Sequence, residues 1–505
     1  MEAEVVARAL TPSPSPVQTD ARRGVRGRGE KEVTPLDAIF RPRSVAVIGA
    51  SPWSYGAGGA GVMYLHSLQE MGCPAIYPVN PKHEEIEGFR CYPSLIAIEG
   101  PVDHVISVLP ARAVPGIVGD CIEKGVRTLH LFTAGFKETG DEGMADAEAE
   151  IVAEATRAGI RVLGPNCMGL YVPSSGLSFI RGFPTEHGPV AMISQSGTNA
   201  GEFVRGSSRR GIRFSKVISY GNAADIDESE LLEYLAADAE SEIITCYIEG
   251  VKDGRRFFQA LKHAASVKPV LVLKGGRTES GQRATMSHTG SLAGSAEVFS
   301  ALCKQTGALQ VHSLDEMIDL AIAFRFGSAV DGKRVALVAG GGGISVAAAD
   351  EIDDAGLLCP VLPEDTQRKL LEFIPAAGSS VRNPIDAFVS FDPARLGDTV
   401  RIAGEAENID AVMVQMDFTS PGFAMSPAAT EPENAIAALV DAIVEASAGS
   451  GKPPIIVSQE KLDVDSVRHT AIFQEKCWQA GMPVYPTARR AAAATARQLS
   501  WNGRQ

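Results

Sequence analysis

The stretch that decides the fold is SVAVIGA, residues 44–50, in which small and β-branched apolar residues run without interruption into a glycine. A run of this kind is typical of a strand buried on both faces of a sheet. A glycine-rich turn, GASPWSYGAGG, and the helical pattern VMYLHSLQEMG follow it. Strand, glycine-rich turn and helix in this order indicate the opening unit of a doubly wound parallel sheet.

The same unit returns twice, as GPVAMISQSG at 188–197 and as RVALVAGGGGISVAAADEIDDAG at 334–356. Short strand-like runs alternate with helical patterns after each opening. We therefore expect an α/β chain of three consecutive Rossmann-like or flavodoxin-like domains, each a doubly wound parallel sheet. The expected segments are a disordered N-terminal tail at 1–33, domains at 34–175, 176–328 and 329–490, and a C-terminal tail at 491–505.

The overall composition and charge limit the kinds of partner and location that we expect for the protein. With 505 residues, 45% of them hydrophobic and 21% charged, the chain has the length and composition of a globular protein of about three domains. A net charge of −14 gives no reason to expect nucleic acid or an anionic membrane surface as a partner. The eight cysteines form no CxxC pair and no zinc-spaced cluster, which predicts reduced thiols, no metal site and a cytoplasmic location. No apolar run is long enough to span a bilayer.

The first glycine-rich turn argues against a nicotinamide dinucleotide. In the GxGxxG register the three glycine positions hold Gly49, Ser51 and Ser54. The second strand-like run ends in Asn80 and Pro81, with no carboxylate to bind a ribose. An NAD-dependent oxidoreductase is therefore the least favoured of the functions considered. An adenine nucleotide of another kind, or a plain tight turn without a ligand, stays open.

The second and third turns each open a helix with small residues. In SQSGTNAGE, 194–202, serine and threonine can cap the helix, and free N–H groups face outward at the positive end of its dipole. The turn AGGGGISV, 339–346, has an even barer backbone. Capping alone explains the hydroxyl residues, but two bare helix N-termini favour phosphate binding. The candidate phosphate-binding residues are Ser196, Gly197, Thr198, Gly341, Gly342 and Gly343.

The stretch ATMSHTGSLAG, 284–294, places His288 among small residues. An isolated loop histidine is more often bonded to solvent or backbone, but small neighbours also leave a nucleophilic ring accessible. Glu249, after the strand-like run IITCYI, would by itself be a solvent-facing strand end. As the partner of an imidazole, however, a carboxylate fixes the tautomer and offsets positive charge on the ring. The two residues are therefore considered together as a candidate catalytic pair.

Four stretches together resemble one family: GRTESGQRATMSHTGSLAGS at 276–295, GPNCMGL at 164–170, GPVAMISQSG at 188–197 and IEG at 248–250. They are similar to the α subunit of ADP-forming acetyl-CoA synthetases, relatives of succinyl-CoA synthetase. The resemblance runs in order through about residues 34–490, and its most specific part is SHTGSLAG. The N-terminal tail has no counterpart. The third turn departs in detail, since relatives often have an asparagine before the glycines.

The resemblance implies an acid–CoA ligase of the NDP-forming type. In that family an acyl phosphate reacts with CoA, and a loop histidine carries the phosphoryl group to or from the nucleotide. It implies that His288 is phosphorylated, that Glu249 stabilises the phosphoimidazole, and that the two helix N-termini bind phosphate. It also implies CoA as cofactor, bound by the first domain. The implied CoA contacts are Gly49, Ser51, Asn80, Pro81, Pro110 and Asn166.

The family also needs an ATP-grasp module, for which no residues are left once 34–490 is assigned. We therefore expect a hetero-oligomer in which a separate ATP-grasp β subunit binds ATP or ADP with Mg²⁺, and a small carboxylic acid as substrate. The main alternative is a CoA-binding regulatory or scaffold protein without turnover, which the presence of both His288 and Glu249 disfavours. Lys274 and Arg277 are expected to meet either phosphate or water, and Asp386 to cap a helix.

Overall fold

The computed structural model describes residues 35–52, 57–283, 295–327, 330–387, 391–419, 423, 431–459 and 464–503. The expected N-terminal tail and the 284–294 stretch with His288 lie outside the described residues. Three predominantly parallel sheets joined by helices confirm the predicted α/β class. Each predicted opening unit forms a strand followed by a helix. In the described part of the chain, no helix combines the length and apolar character that a membrane span requires.

The first sheet has five parallel strands in the order β2-β1-β5-β6-β7. A short antiparallel hairpin, β3 with β4, stands beside it. The elements are α1 (Pro35–Phe40), β1 (Val45–Ile48), α2 (Ala57–Met71), β2 (Ile76–Val79), β3 (Glu85–Ile86), β4 (Phe89–Arg90), β5 (His104–Ser107), α3 (Pro115–Lys124), β6 (Thr128–Leu131), α4 (Glu142–Arg157) and β7 (Arg161–Leu163). All four residues of β1 are buried, as its unbroken apolar run predicts.

The second sheet has six strands in the order β13-β12-β11-β9-β10-β8, with β8 antiparallel to β10. Its elements are β8 (Gly169–Tyr171), β9 (His187–Ser194), α5 (Gly197–Ser208), β10 (Phe214–Ser219), α6 (Glu228–Ala237), β11 (Ile243–Ile248), α7 (Gly254–Val267), β12 (Val270–Lys274), α8 (Ala296–Thr306), β13 (Leu309–Val311) and α9 (Leu314–Phe326). Strand β8 lies within the 34–175 segment but belongs to this sheet. The chain therefore crosses between the sheets before Gly169.

The third sheet also has six strands, in the order β15-β16-β14-β17-β18-β19, with β15 antiparallel to β16. Its elements are β14 (Val335–Ala339), α10 (Gly342–Asp354), α11 (Glu364–Leu371), β15 (Ser380–Val381), β16 (Ile385–Asp386), α12 (Pro393–Gly404), β17 (Ala411–Met416), α13 (Pro432–Ser450), β18 (Pro454–Ser458), α14 (Val464–Gln479), β19 (Val484–Tyr485) and α15 (Ala488–Asn502). Strands β14, β17 and the end of β18 are fully buried, which fits their apolar sequences.

The structure differs from the expected C-terminal tail at 491–505, because residues up to Asn502 belong to α15. The buried alanines of α15 join the core shared with α9 of the second domain. Polar contacts reinforce the packing: Arg490 Nη2 donates to Asp319 Oδ1 at 2.9 Å, and Gln498 Nε2 donates to the Ala323 carbonyl at 2.9 Å. The buried residues of α15 are four alanines, Thr495 and Gln498, so none of them is a large apolar residue that would show an amphipathic pattern, which explains the difference.

Candidate functional site

The second sheet has its topological switch point at the carboxyl ends of β9 and β11. From β9 the chain continues to β10 on one side, and β11 joins β9 on the other. Open α/β sheets bind ligands in the crevice at such a point. The residues that leave the two strands there are Gln195 and Ser196 after β9, and Glu249 after β11. The geometry therefore puts the predicted residues Ser196 and Glu249 on the two sides of one crevice.

The side chain of Gln195 fixes the two turns to each other. Its Nε2 donates to the Gly250 carbonyl at 3.0 Å, and its Oε1 accepts the Gly250 N–H at 2.9 Å and also the Glu249 N–H. The amide is buried. Because these bonds use both ends of the amide, the backbone of Glu249 is held beside the start of α5.

The predicted cap of α5 is present in the structure. Ser196 Oγ accepts the Asn199 N–H at 3.3 Å, while Gly197 and Thr198 form the first turn of the helix. A Cβ on Gly197 would lie 2.2 Å from Cγ of Met168, so only glycine allows this close packing. The first amides of a helix of this length attract anions, which agrees with the predicted phosphate contact, although that contact stays a prediction.

Glu249 is 6% exposed, and the Oε2 of its carboxylate has no hydrogen-bond partner among the described residues. The Tyr247 hydroxyl faces it, and burial together with the charge of Glu249 raises the pKa of Tyr247. A buried acceptor without a partner is open to a hydrogen bond from a group outside the described residues. An imidazole N–H is such a partner.

Lys274, at the end of β12, is buried and directed at the backbone rather than at solvent. Its Nζ donates to the Glu249 carbonyl at 2.7 Å and also to the Gly275 carbonyl. Burial lowers the pKa of Lys274, and the nearby Glu249 charge opposes that effect. Arg277 follows Lys274 in the chain, and its guanidinium contacts His312 Nδ1 at 2.8 Å.

The carboxyl edges of the first and second sheets meet at the segment 164–168, which links β7 to β8. The Asn222 N–H donates to the Pro165 carbonyl at 3.0 Å, and Met168 N–H donates to Ser219 Oγ at 3.1 Å. A Cβ on Gly221 would lie 2.3 Å from the carbonyl oxygens of Pro165 and Asn166. This junction places the GPNCMG motif between the carboxyl edges of the two sheets.

Two side chains of the first domain contact backbone carbonyls of the segment 164–168. Tyr64 Oη donates to the Met168 carbonyl at 2.8 Å, and His130 Nε2 lies 3.2 Å from the Cys167 carbonyl. Burial lowers the pKa of His130 to about 4, so the ring is neutral at cellular pH. Burial also raises the pKa of the Cys167 thiol, which makes it a structural cysteine rather than a nucleophile.

The residues expected to bind CoA follow strands of the first sheet at its carboxyl edge, namely Gly49, Ser51, Asn80, Pro81, Pro110 and Asn166. Gly49 has φ +93, and a Cβ there would lie 2.8 Å from Leu109. Asn80 Nδ2 donates to the Ala50 carbonyl at 2.7 Å, which ties two neighbouring turns of the edge together. Asn166 lies at the junction, 3.5 Å from the Asn222 side chain. Their contact with CoA stays a prediction.

The third turn is bound from within the chain. The Gly341 N–H donates to Asp386 Oδ1 at 2.7 Å, so Asp386 of the neighbouring strand β16 binds the residue that precedes α10, which has no side-chain cap of its own. Gly342 and Gly343 are exposed. The amide of Gly341 is therefore not free for phosphate in this structure, whereas the amide groups of the next two residues follow it in the first turn.

Sequence reasoning missed Gln195, Tyr247 and the bonds of Lys274. All three act across neighbouring strands, so no local pattern marks them. In the described residues, no group of three histidine, cysteine or acidic side chains could hold a metal ion.

Comparison with known families defines the class of the protein. Residues 43–173 match the family model "CoA binding domain", and residues 187–324 match "Succinyl-CoA ligase like flavodoxin domain". The first match covers the first sheet and also β8, and the second match covers strands β9 to β13 of the second sheet. The chain is thus of the CoA-ligase type, with a CoA-binding domain and a ligase domain side by side.

Curated relatives specify the family. The chain is 41% identical over 378 residues to "Acetate–CoA ligase [ADP-forming] II subunit alpha" of Pyrococcus furiosus, covering 75% of this chain and 81% of that protein. It is 35% identical over 481 residues to the corresponding "I subunit alpha" of the same organism, covering 92% and 98%. The chain belongs to the family of ADP-forming acetate–CoA ligases, which are ligase enzymes.

Other relatives are longer than this chain. It is 41% identical to "Acetate–CoA ligase [ADP-forming] I" of Archaeoglobus fulgidus over 392 residues, which are 76% of this chain but only 56% of that protein. Among solved structures, an acetyl-coenzyme A synthetase of Ca. Korarchaeum cryptofilum, described in complex with phosphate and ADP, matches with a TM-score of 0.76 and 30% identity. That match covers 93% of this chain and 97% of the other.

Proposed function

We propose that this chain is the α-type subunit of an NDP-forming acid–CoA ligase, which forms or cleaves acyl-CoA through an acyl phosphate and a phosphohistidine. The observation that carries the proposal is the junction at 164–168. There the edge of the CoA-binding domain meets the crevice that holds the α5 N-terminus and the carboxylate of Glu249, whose Oε2 has no partner among the described residues. A thioester bound on one edge and a phosphoryl group bound on the other would meet at this junction.

The chemistry in the cleavage direction has three steps. An oxygen of inorganic phosphate attacks the thioester carbonyl, the carbon–sulfur bond breaks, and CoA leaves as a thiol after taking a proton. The neutral imidazole of His288 then attacks the phosphorus of the acyl phosphate, and the acid leaves as a carboxylate. An oxygen of the ADP β-phosphate finally attacks the phosphorus, the phosphorus–nitrogen bond breaks, and ATP forms. Synthesis of acyl-CoA follows the same steps in reverse.

The residues of the crevice fit these steps. Neutral imidazole is a competent nucleophile toward phosphorus, and phosphorylation leaves a cationic ring with one N–H. Glu249 would accept that N–H and offset the charge, which accounts for its unpaired Oε2. The first amides of α5, at Gly197 and Thr198, would hold the phosphoryl oxygens. Positioning and charge stabilisation are most of what phosphoryl transfer requires.

The nucleotide site is proposed to lie on a partner chain with an ATP-grasp fold, which would bind ATP or ADP with Mg²⁺. Two kinds of relative support this: α subunits of similar length, and longer proteins of which this chain spans little more than half. A small carboxylic acid would bind between the His288 segment and the CoA thiol. The free thiols of the cysteines in the described residues support a cytoplasmic location, which is part of this proposal.

The test is phosphorylation from nucleotide. The chain is incubated with γ-labelled ATP and a candidate β chain, and we expect acid-labile, base-stable label on His288. His288→Asn should abolish the label, whereas His263→Asn, at an exposed histidine of α7, should keep it. Label that persists in His288→Asn would count against the proposal. Tight CoA binding without any label would instead favour the regulatory or scaffold alternative.

A further inference from the structure

Lys274 occupies a position at which two functional segments begin. It is the last residue of β12, opposite Ile248 of β11, so the next residues of the two strands are Gly275 and Glu249. Its ammonium donates to the carbonyls of both. The residue is 4% exposed, so these bonds are protected from water. One buried cation therefore joins the turn that carries Glu249 to the root of the segment that leads to His288.

Gly275, the root of the segment that leads to His288, packs directly against the crevice. A Cβ on Gly275 would lie 2.7 Å from Tyr247 Oη and 3.1 Å from Glu249 Cγ. The backbone of Gly275 thus approaches the Glu249 side chain as closely as a residue without a side chain can. A shift of this root by a fraction of an ångström would be transmitted to Tyr247 and Glu249.

The charge of Lys274 also matters for Glu249. The Glu249 charge shifts the pKa values of three titratable side chains near the carboxyl ends of strands of the second sheet, namely Tyr220, Tyr247 and Lys274. Of these three, only Lys274 can carry a positive charge. Lys274 therefore puts a positive charge near the Glu249 side chain, on the residue that also binds the Glu249 backbone carbonyl.

We propose that Lys274 is a positioning residue for histidine phosphorylation. It holds the Glu249 turn and the root of the His288 segment in one geometry, and it supplies the positive charge opposite Glu249 when the ring is unphosphorylated. This inference rests on the proposed function. It assigns no direct contact between Lys274 and substrate, because both described hydrogen bonds of its ammonium go to backbone carbonyls.

The chain offers a matched control in Lys268. Its Nζ also donates to two backbone carbonyls, those of Leu235 and Asp238, each at 2.6 Å. Lys268 stands just before β12, at the opposite end of the strand from Lys274. Loss of Lys268 therefore removes the same kind of bonds just before the start of β12, far from Glu249.

The experiment compares Lys274→Met with Lys268→Met, each mixed with the β chain and labelled ATP. We expect the initial rate of His288 labelling to fall at least 10-fold in Lys274→Met and less than 2-fold in Lys268→Met. The KM for CoA, which the first domain would bind, should stay the same in both. Lys274→Arg should recover part of the rate, because it restores the charge. Thermal unfolding of each variant shows whether the difference in rate follows stability.

The outcomes separate the two proposals. Wild-type chain without label on His288 overturns the proposed function and this inference with it. Labelling of Lys274→Met at the rate of Lys268→Met overturns the inference alone. If Lys274→Met fails to fold, Lys274→Gln retains a hydrogen-bond donor without the charge. A Lys274→Gln variant as fast as wild type would then contradict the electrostatic part of the proposal.

Discussion

At the scale of the residue, Glu249 combines a tightly held backbone with one carboxylate oxygen that has no partner among the described residues. Since Glu249→Gln retains the size of the side chain but removes its charge, we expect His288 phosphorylation to slow about 10- to 100-fold. The measurement is the initial rate of labelling with the β chain present. Glu233→Gln, which breaks an exposed ion pair with Arg256, should leave the rate unchanged. Normal labelling of the Glu249→Gln variant would contradict the role of Glu249.

Gly169 allows a second prediction about a single residue. It has φ +86, and a Cβ would lie 2.2 Å from Cε1 of the buried ring of His130. Gly182 has φ +76 but no atom within 4 Å of that position. Gly182→Ala should therefore lower the free energy of unfolding by about 1–2 kcal/mol, through backbone strain alone. Gly169→Ala should lower it by a further ~1–3 kcal/mol because of the clash.

Urea titrations of the two glycine variants and of the wild type give the comparison. Equal losses in the two variants would show that His130 moves aside without penalty, contrary to its tight packing.

Residues whose role is local could be predicted from the sequence. Ser196 caps α5 as expected, since a cap depends only on neighbours three residues away. Gln195 and Lys274 could not be assigned, because their partners belong to an adjacent strand. The expectation of a free amide at Gly341 failed for the same reason. The carboxylate that accepts its N–H belongs to Asp386, which is distant in sequence.

At the scale of the element, α15 packs closely on the core because its buried side chains are small. Ala492 is fully buried in α15, whereas the adjacent Ala493 is exposed. Ala492→Leu should lower the free energy of unfolding by about 1–3 kcal/mol, because the site has no room for three more carbons. Ala493→Leu should change it by less than about 0.5 kcal/mol. Denaturant titration of both variants tests this, and equal stabilities would contradict the close packing.

Strands β5 and β6 make stability depend on pH. Burial lowers the pKa of His104 to about 3 and that of His130 to about 4, against about 6.5 in the unfolded chain. Below pH 6.5 the unfolded chain therefore binds more protons than the folded one. The free energy of unfolding should fall from pH 6.5 toward pH 4, by about 1.4 kcal/mol per pH unit for each ring, and show no such dependence above pH 7.

Urea titrations at pH 7, 6 and 5 measure this slope. His104→Leu should reduce it, while His263→Gln, at an exposed site on α7, should leave it as in the wild type. A slope that is the same in all three proteins would rule out buried His104 as a source.

At the scale of the whole molecule, the division of labour between two chains can be tested directly. We expect the isolated chain to bind CoA in calorimetry but to form no acyl-CoA from acid, ATP and CoA. Addition of an ATP-grasp β chain should give turnover and a hetero-oligomer of larger mass in light scattering. Turnover by the isolated chain would show that the nucleotide site lies within it.

The succession of three predominantly parallel sheets was predictable because each sheet has an opening unit with the same local pattern of strand, turn and helix. The sheet or layer that each later element joins was not. Strand β8 pairs with β10, and α15 packs on α9, through contacts between residues far apart in sequence. Local periodicity carries no information about which sheet receives such an element.

The packing of α15 has a consequence for synthesis of the protein. Helix α9 flanks the second sheet, yet Asp319 and Ala323 on its face are bound by Arg490 and Gln498, which lie more than a hundred residues later in the chain. The ribosome must therefore complete the whole third sheet before α15 can cover α9. Until then the ribosome-bound second domain presents an apolar helix face, to which chaperones bind readily.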